Sequence, residues 1–520
     1  MHGLISTPDV PISVVKLLDA ALIRPYVFRC QPEALNGNVE RSAARLGLTK
    51  AQFTAAALRQ PSLFDQKSET LNDNAERSAA LLELTKQQFT VAALEYPPLF
   101  CQAPETLISN MEQSALLLGL TKRQFIAAAL KYPQLLSRKP DSLNSNVQRS
   151  AALLDLTEQQ FIAAALEFPS LFGRNPETLN DNAERSTFLL GLTKRQFIAA
   201  GLKQPSLLGH SPETLNSNVE RSAALLGLTK QQFVAAALKL PQLFYQKPET
   251  LNDNAERSAA LLGLTKAQLS TAALERPSLL CQRPETLNDN AVHSSALLGI
   301  TKAQFVVAAL KQPSLFGRKP ATLNSNVERS AALLGLTKQQ FTAAALMQPA
   351  LVSQKPETLN RNVERSAALL ALTKDQFIGA ALKLPQLFSQ KPETVSSKKP
   401  YIMKISEALG EGRDFASLLQ TAPASLCYGC NRLHARYILA KLDLKRGASS
   451  TLMSLSNAKA SAMIVAHFTR QIERTGTGTR ALQVMHAQGL IATLPAGITP
   501  IERPPRRLRG AQDPSPLPPP

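Results

Sequence analysis

From Pro212 the chain reads PETLNSNVERSAALLGLTKQQFVAAALKLPQLFYQK, and its apolar positions keep helical spacing in two stretches. Leu215, Val219, Ala223 and Leu226 recur at intervals of three and four, which draws one stripe down a helix. Pro212 suits the first turn, where its missing N–H has no intrahelical acceptor to lose, and Glu213 complements the positive helix end. Gly227 closes the helix, because it enters the left-handed region without a Cβ clash. The second stretch opens on Thr229 with Gln232 three residues on, a capping box in which the Thr hydroxyl accepts from a first-turn N–H and Gln232 reaches back. The spacing predicts a helix from Phe233 to Leu240, with Phe233, Ala237 and Leu238 turned inward, and Pro241 ends it. Pro241 to Phe244 is too short for an α-helix and reads as a 3₁₀ turn plugging the core with Leu243 and Phe244.

This 36-residue unit is written ten times without a slip, opening at Pro32, Ser68, Pro104, Pro140, Pro176, Pro212, Pro248, Pro284, Pro320 and Pro356, and Pro392 starts an eleventh. A fixed period of this length means a solenoid in which each repeat packs on its neighbours. The expected fold class is all-α, a superhelical α-solenoid of helix–helix–3₁₀ repeats, right- or left-handed. Residues 1–31 read as an N-terminal capping half-repeat, since Pro25 stands 36 residues before Pro61. Residues 32–391 are the array, 392–475 divergent closing repeats, and 476–520 a basic, Pro-rich, disordered tail containing Arg503, Arg506, Arg507 and Arg509. Composition agrees: of 520 residues 44% are hydrophobic, mostly Ala and Leu, aromatics are 5% and Trp is absent.

Charge narrows the choice of partner. The net charge is +19, and the segment from residue 392 onward carries about half of that excess in a quarter of the length. A folded chain this basic points to an acidic partner, nucleic acid or an anionic surface. Two ladders of cations run through the copies. One is Lys at the first position of the second helix: Lys50, Lys86, Lys122, Lys194, Lys230, Lys266, Lys302, Lys338 and Lys374, with Glu158 as the exception. A cation there opposes the helix dipole, so a site chosen for its own helix's stability would favour an acid, and phosphate binding is a coherent alternative. The other ladder is Arg41, Arg77, Arg149, Arg185, Arg221, Arg257, Arg329 and Arg365 on the first helix, interrupted by Gln113 and His293. A Glu precedes most of these, so inter-repeat Arg–Glu pairing is the bland reading. Within the capping box one position varies freely and holds Arg123 and Arg195 among Ala, Gln and Asp, either as drift or as a place where ligand preference is written.

The layout resembles the mitochondrial transcription termination factor family. The resemblance rests on the Leu-Gly-Leu-Thr junction, the capped second helix and the Pro-x-Leu-Phe/Leu turn, held in register over many copies. It continues through residues 424–436, ASLCYGCNRLHAR, which look like that family's closing repeats, with Pro423, Tyr428, Arg432, Leu433 and Arg436 at the corresponding places. The resemblance implies a curved solenoid whose basic concave face grips nucleic acid, duplex DNA in most members and organellar RNA in some. It implies roles in transcription termination, organellar gene expression or ribosome assembly. These repeats are far more uniform than the family's, which points to recent internal duplication. The expected function is therefore a nucleic-acid-binding regulator of gene expression, duplex DNA favoured and RNA possible, acting as a monomer. Lys50 to Lys374, Arg123, Arg195, Arg432 and Arg436 are the contact residues. The alternative is a protein-interaction scaffold or secreted effector with no nucleic-acid binding.

Other chemistry is not expected. Cys427 and Cys430, with His434, have the spacing of half a zinc site, but no second pair follows. Five cysteines do not make a disulfide framework and fit a reducing, intracellular setting, organelle matrix or bacterial cytoplasm. No apolar stretch reaches the roughly 18 residues of a membrane span. No phosphate-binding loop, dinucleotide fingerprint or carboxylate pair stands out, so neither a cofactor nor catalysis is expected.

Overall fold

The computed structural model describes residues 14–25, 31–442, 452–453 and 455–501. The protein is an all-α solenoid, and no strand occurs among the described residues. In the copy from Pro212 the long helix spans Pro212–Leu226, the second helix Lys230–Lys239 and the 3₁₀ turn Pro241–Phe244. Gly227 stops the long helix at φ 68°, where the Leu228 amide donates back to the Ala223 carbonyl at 2.9 Å. The capping box forms as the sequence predicts: Gln232 N–H donates to the Thr229 hydroxyl at 3.2 Å, and Thr229 N–H to Gln232 Oε1 at 2.9 Å. The second helix ends at Leu240, which the following proline holds at φ −133°, ψ 85°.

Leu215, Val219, Ser222, Ala223 and Leu226 of the long helix are buried, together with Pro241, Leu243 and Phe244 of the turn. In the second helix the inward set is wider than the spacing predicts. Phe233, Val234, Ala236 and Ala237 are buried, whereas Leu238 is only half-buried. That helix packs on its own long helix, its own turn and the second helix of the preceding repeat, so it needs two apolar flanks. Small Ala side chains let those flanks approach closely.

The chain divides into two compact units, Met1–Ala255 with Ala273–Cys281, and Glu256–Ala272 with Gln282–Pro520. In the first, the helix Val14–Ile23 packs on the second helix of the opening repeat. The turn expected at Pro25 to Phe28 lies largely outside the described residues. In the second unit the eleventh opener is short, Pro392–Ser396, and a new helix Lys399–Ala408 starts with Pro400 in its first turn. That proline has no N–H to continue the earlier helix. Phe415–Thr421, the turn Pro423–Cys427 and Cys430–Lys441 follow as closing elements. Beyond them Asn457–Thr475 and Thr479–Ala487 are helical, and Leu482, Met485, Leu490 and Ile491 are buried. Helical packing therefore extends past residue 476, where the sequence reading starts a disordered tail. Gly476 and Gly478 act as a bend there, with Gly476 capping one helix and Gly478 preceding the next. The arginines from Arg503 to Arg509 lie outside the described residues.

Three copies depart from glycine at the long-helix stop: Glu83, Asp155 and Ala371 take φ 58°, 55° and 52°. A Cβ in this region costs about 1 kcal/mol. Glu83 recovers part of that through an ion pair with Lys122 at 2.9 Å, whereas Ala371 has no side-chain interaction to set against it. Ala371→Gly is accordingly expected to raise stability by about 1 kcal/mol. An unchanged denaturant midpoint would count against this account of the stop.

Candidate nucleic-acid interface

The lysine ladder turns away from its own helix end and reaches back into the array. Lys86 donates to the Arg45 carbonyl of the preceding long helix at 2.7 Å, Lys122 to Leu81 at 3.0 Å, Lys194 to Leu153 at 2.7 Å, Lys302 to Leu261 at 2.6 Å and Lys374 to Leu333 at 2.8 Å. Those carbonyls belong to last turns, where the helix dipole is negative and acceptors lack intrahelical donors. Within its own repeat the same ammonium meets a Glu. Lys50 pairs with Glu40 at 3.0 Å, Lys86 with Glu76 at 2.9 Å, Lys230 with Glu220 at 2.9 Å, Lys266 with Glu256 at 3.0 Å and Lys338 with Glu328 at 2.9 Å. Asn72, Asn180, Asn216 and Asn288 supply a further acceptor in four copies, which makes three for Lys86 and Lys194 and two for Lys230 and Lys302. Hydrogen bonds from the lysines hold the carboxyls of Glu40, Glu76, Glu220 and Glu328 below the usual carboxylate range. The cation that is unfavourable for its own helix thus ties one repeat to the last turn of the one before.

Differences among the copies support this. Where the lysine is replaced by Glu158, the acid that would face it is Gln148. Where the acid is Val292, Lys302 relies on Asn288 and the Leu261 carbonyl.

The arginine ladder pairs forward. Arg77 meets Glu105, Arg149 Glu177, Arg185 Glu213, Arg221 Glu249, Arg257 Glu285, Arg329 Glu357 and Arg365 Glu393, each Glu being the second residue of the next copy. Both interruptions fit: His293 precedes a copy with Ala321 in place of that Glu, and Gln113 one with the shorter Asp141. These arginines keep about two-thirds of their surface, 63% for Arg77 and 67% for Arg185, so each pair contributes little stability.

With most of both ladders paired inside the fold, another set of cations remains. The residue immediately before the opener is Lys or Arg at seven of the eleven openers. In the first unit these are Lys67, Lys139 and Lys247. In the second, Arg283, Lys319, Lys355 and Lys391 stand at four consecutive openers. All seven are exposed and none forms an ion pair among the described residues. Lys67, Lys139, Arg283, Lys319, Lys355 and Lys391 are N-caps in extended conformation whose side chains make no capping bond. Beside Lys67, Lys247, Arg283, Lys355 and Lys391 the neighbouring Glu is already held by the preceding repeat's arginine, and beside Lys319 the place is Ala321. Within each unit the row recurs at the same repeat position. The sequence signal is plain once the pairing is known: a basic residue before proline, recurring every 36 residues.

Arg123 and Arg195 are exposed and unpaired among the described residues. Arg432 and Arg436 lie on the closing helix Cys430–Lys441, where Arg432 is half-buried and Arg436 is 1% exposed. Cys427 Sγ accepts from Gln390 Nε2 at 3.2 Å, and His434 packs against Tyr401. Among the described residues no three His, Cys, Asp or Glu side chains converge as a metal site would require, and no helix is long and apolar enough to cross a membrane. Comparison with protein-family models gives no match, and comparison with curated proteins gives none.

Proposed function

We propose that this solenoid binds nucleic acid along the opener cations and acts in gene expression, in the manner its resemblance to transcription termination factors implies. The observation that carries the reading is the row Arg283, Lys319, Lys355 and Lys391: exposed, free of carboxylate partners among the described residues, and repeated at one structural position. Stacked helices lie about 10 Å apart, so successive cations meet a polymer at a spacing of a few nucleotides. Contact with a phosphate backbone uses charge and spacing, not base edges, so such a row supplies affinity without dictating sequence. Duplex DNA is the favoured ligand, and RNA is the variant to compare with it.

The test is a salt titration of binding to a mixed-sequence duplex and to single-stranded RNA. Four phosphates engaged by the second unit give a log–log slope of about −3.6 on duplex and about −2.8 on a single strand. Binding that ignores salt, or none at low salt, overturns the proposal and leaves the protein-scaffold alternative. That alternative draws on Leu116 and Phe188, which share one repeat position and are 80% and 86% exposed.

A further inference from the structure

The closing helices frame a half-open cleft of about 950 Å³, bounded by Cys430–Lys441, Asn457–Thr475 and the segment 489–493. Two guanidinium groups one helical turn apart, Arg432 and Arg436, line it. Arg436 is 1% exposed, yet its acceptors are all uncharged: the Leu455 carbonyl, Asn457 Oδ1 at 3.1 Å and the Arg432 carbonyl at 3.4 Å. Arg432 donates to the same Leu455 carbonyl at 3.1 Å and lies over the Tyr428 ring at 3.6 Å. The Nε of each arginine is buried with no partner. Neither forms an ion pair among the described residues, and the one carboxylate on the wall, Glu473, is exposed. Burial, and secondarily the Arg432 charge, draw the Arg436 pKa down to about 10, which leaves it fully charged at neutral pH.

Two like charges side by side, one of them buried, are unfavourable without an anion, and none pairs with them among the described residues. A carboxylate neutralises one of them; a phosphate monoester carries close to two charges and offers the oxygens that guanidinium forks recognise. Opposite, Val465, Leu490 and Ile491 give an apolar wall for an organic substituent, and the volume falls in the range of small-ligand sites.

We propose that this cleft binds a phosphate monoester, its dianion against Arg432 and Arg436 and its organic group along Val465 and Ile491. The site does not depend on the opener row. Its ligand is either a free small monoester or the terminal phosphate of a polynucleotide.

The experiment is calorimetric titration of the full chain with adenosine 5′-monophosphate, with a 5′-phosphorylated oligonucleotide and with the same oligonucleotide bearing a 5′-hydroxyl. Saturable binding of the monophosphate assigns a small ligand. A preference of about tenfold or more for the phosphorylated oligonucleotide, without monophosphate binding, assigns a chain terminus. Either preference is expected to fall about tenfold in Arg432→Gln. It is also expected to fall in Ala462→Trp, which narrows the cleft from an exposed position and leaves both arginines in place. The opener variants leave it unchanged, so failure here is distinguishable from failure of polymer binding. No discrimination between phosphate and hydroxyl termini, together with no monophosphate binding up to about 10 mM, overturns the proposal. Affinity retained in both variants does the same.

Discussion

Phe233→Ala is expected to destabilise its repeat by about 3–5 kcal/mol and to split the melting of the first unit into two transitions. The ring is fully buried, in a helix that packs on its own long helix, the preceding second helix, its own turn and the following one. Removing it leaves a void at a junction through which neighbouring repeats are coupled. In a solenoid, stability is a sum of repeat terms and nearest-neighbour terms, so a weak link in mid-array uncouples the two sides. The same change at Phe53, near the N-terminal end of the array, frays that end and leaves the rest melting as one. Phe233→Leu is expected to cost far less, because the next copy carries Leu269 at this place and buries it fully. Circular-dichroism melts of the three variants decide the matter. A single transition with an unshifted midpoint for Phe233→Ala would falsify the nearest-neighbour account.

The local structure was legible because it is written in local chemistry. Thr229 with Gln232, Gly227, Pro212 and Pro241 each act within four residues, and the structure puts a cap, a stop, a start and an end at those places. What the sequence hid is the partner of each charge. Glu220 and Arg221 are adjacent, which suggests local cancellation, yet Glu220 pairs with Lys230 and Arg221 with Glu249 in the next copy. Lys86 finds its carbonyl 41 residues back. These partners depend on how one repeat stacks on the next, which periodicity does not specify. The burial of Val234 in preference to Leu238 has the same origin, since the width of an apolar stripe is set by the number of neighbours. The uncompensated opener cations became visible only after the other charges had been assigned.

Replacing Arg283, Lys319, Lys355 and Lys391 together by Gln is expected to make the duplex-binding salt slope shallower by about 3–4. At about 0.1 M salt the affinity falls on the order of a thousandfold, because released counterions supply the binding free energy at these contacts. Stability should hardly change: the side chains are exposed, have no ion-pair partner among the described residues, and lie outside the core. The opposite pattern is expected for Lys230→Gln, Lys266→Gln and Lys302→Gln combined. Each removes a charged hydrogen-bond donor that links elements of the array, at about 1–2 kcal/mol per site, while the salt slope stays near that of the unaltered protein. The two variants differ by similar numbers of charges, so a general effect of net charge moves both slopes alike, whereas a specific contact row moves only one. If the lysine variant loses binding at full stability and the opener variant does not, the polymer lies along the second-helix N-termini. Those ammonium groups must then exchange their intramolecular carbonyl and carboxylate partners for phosphate on binding.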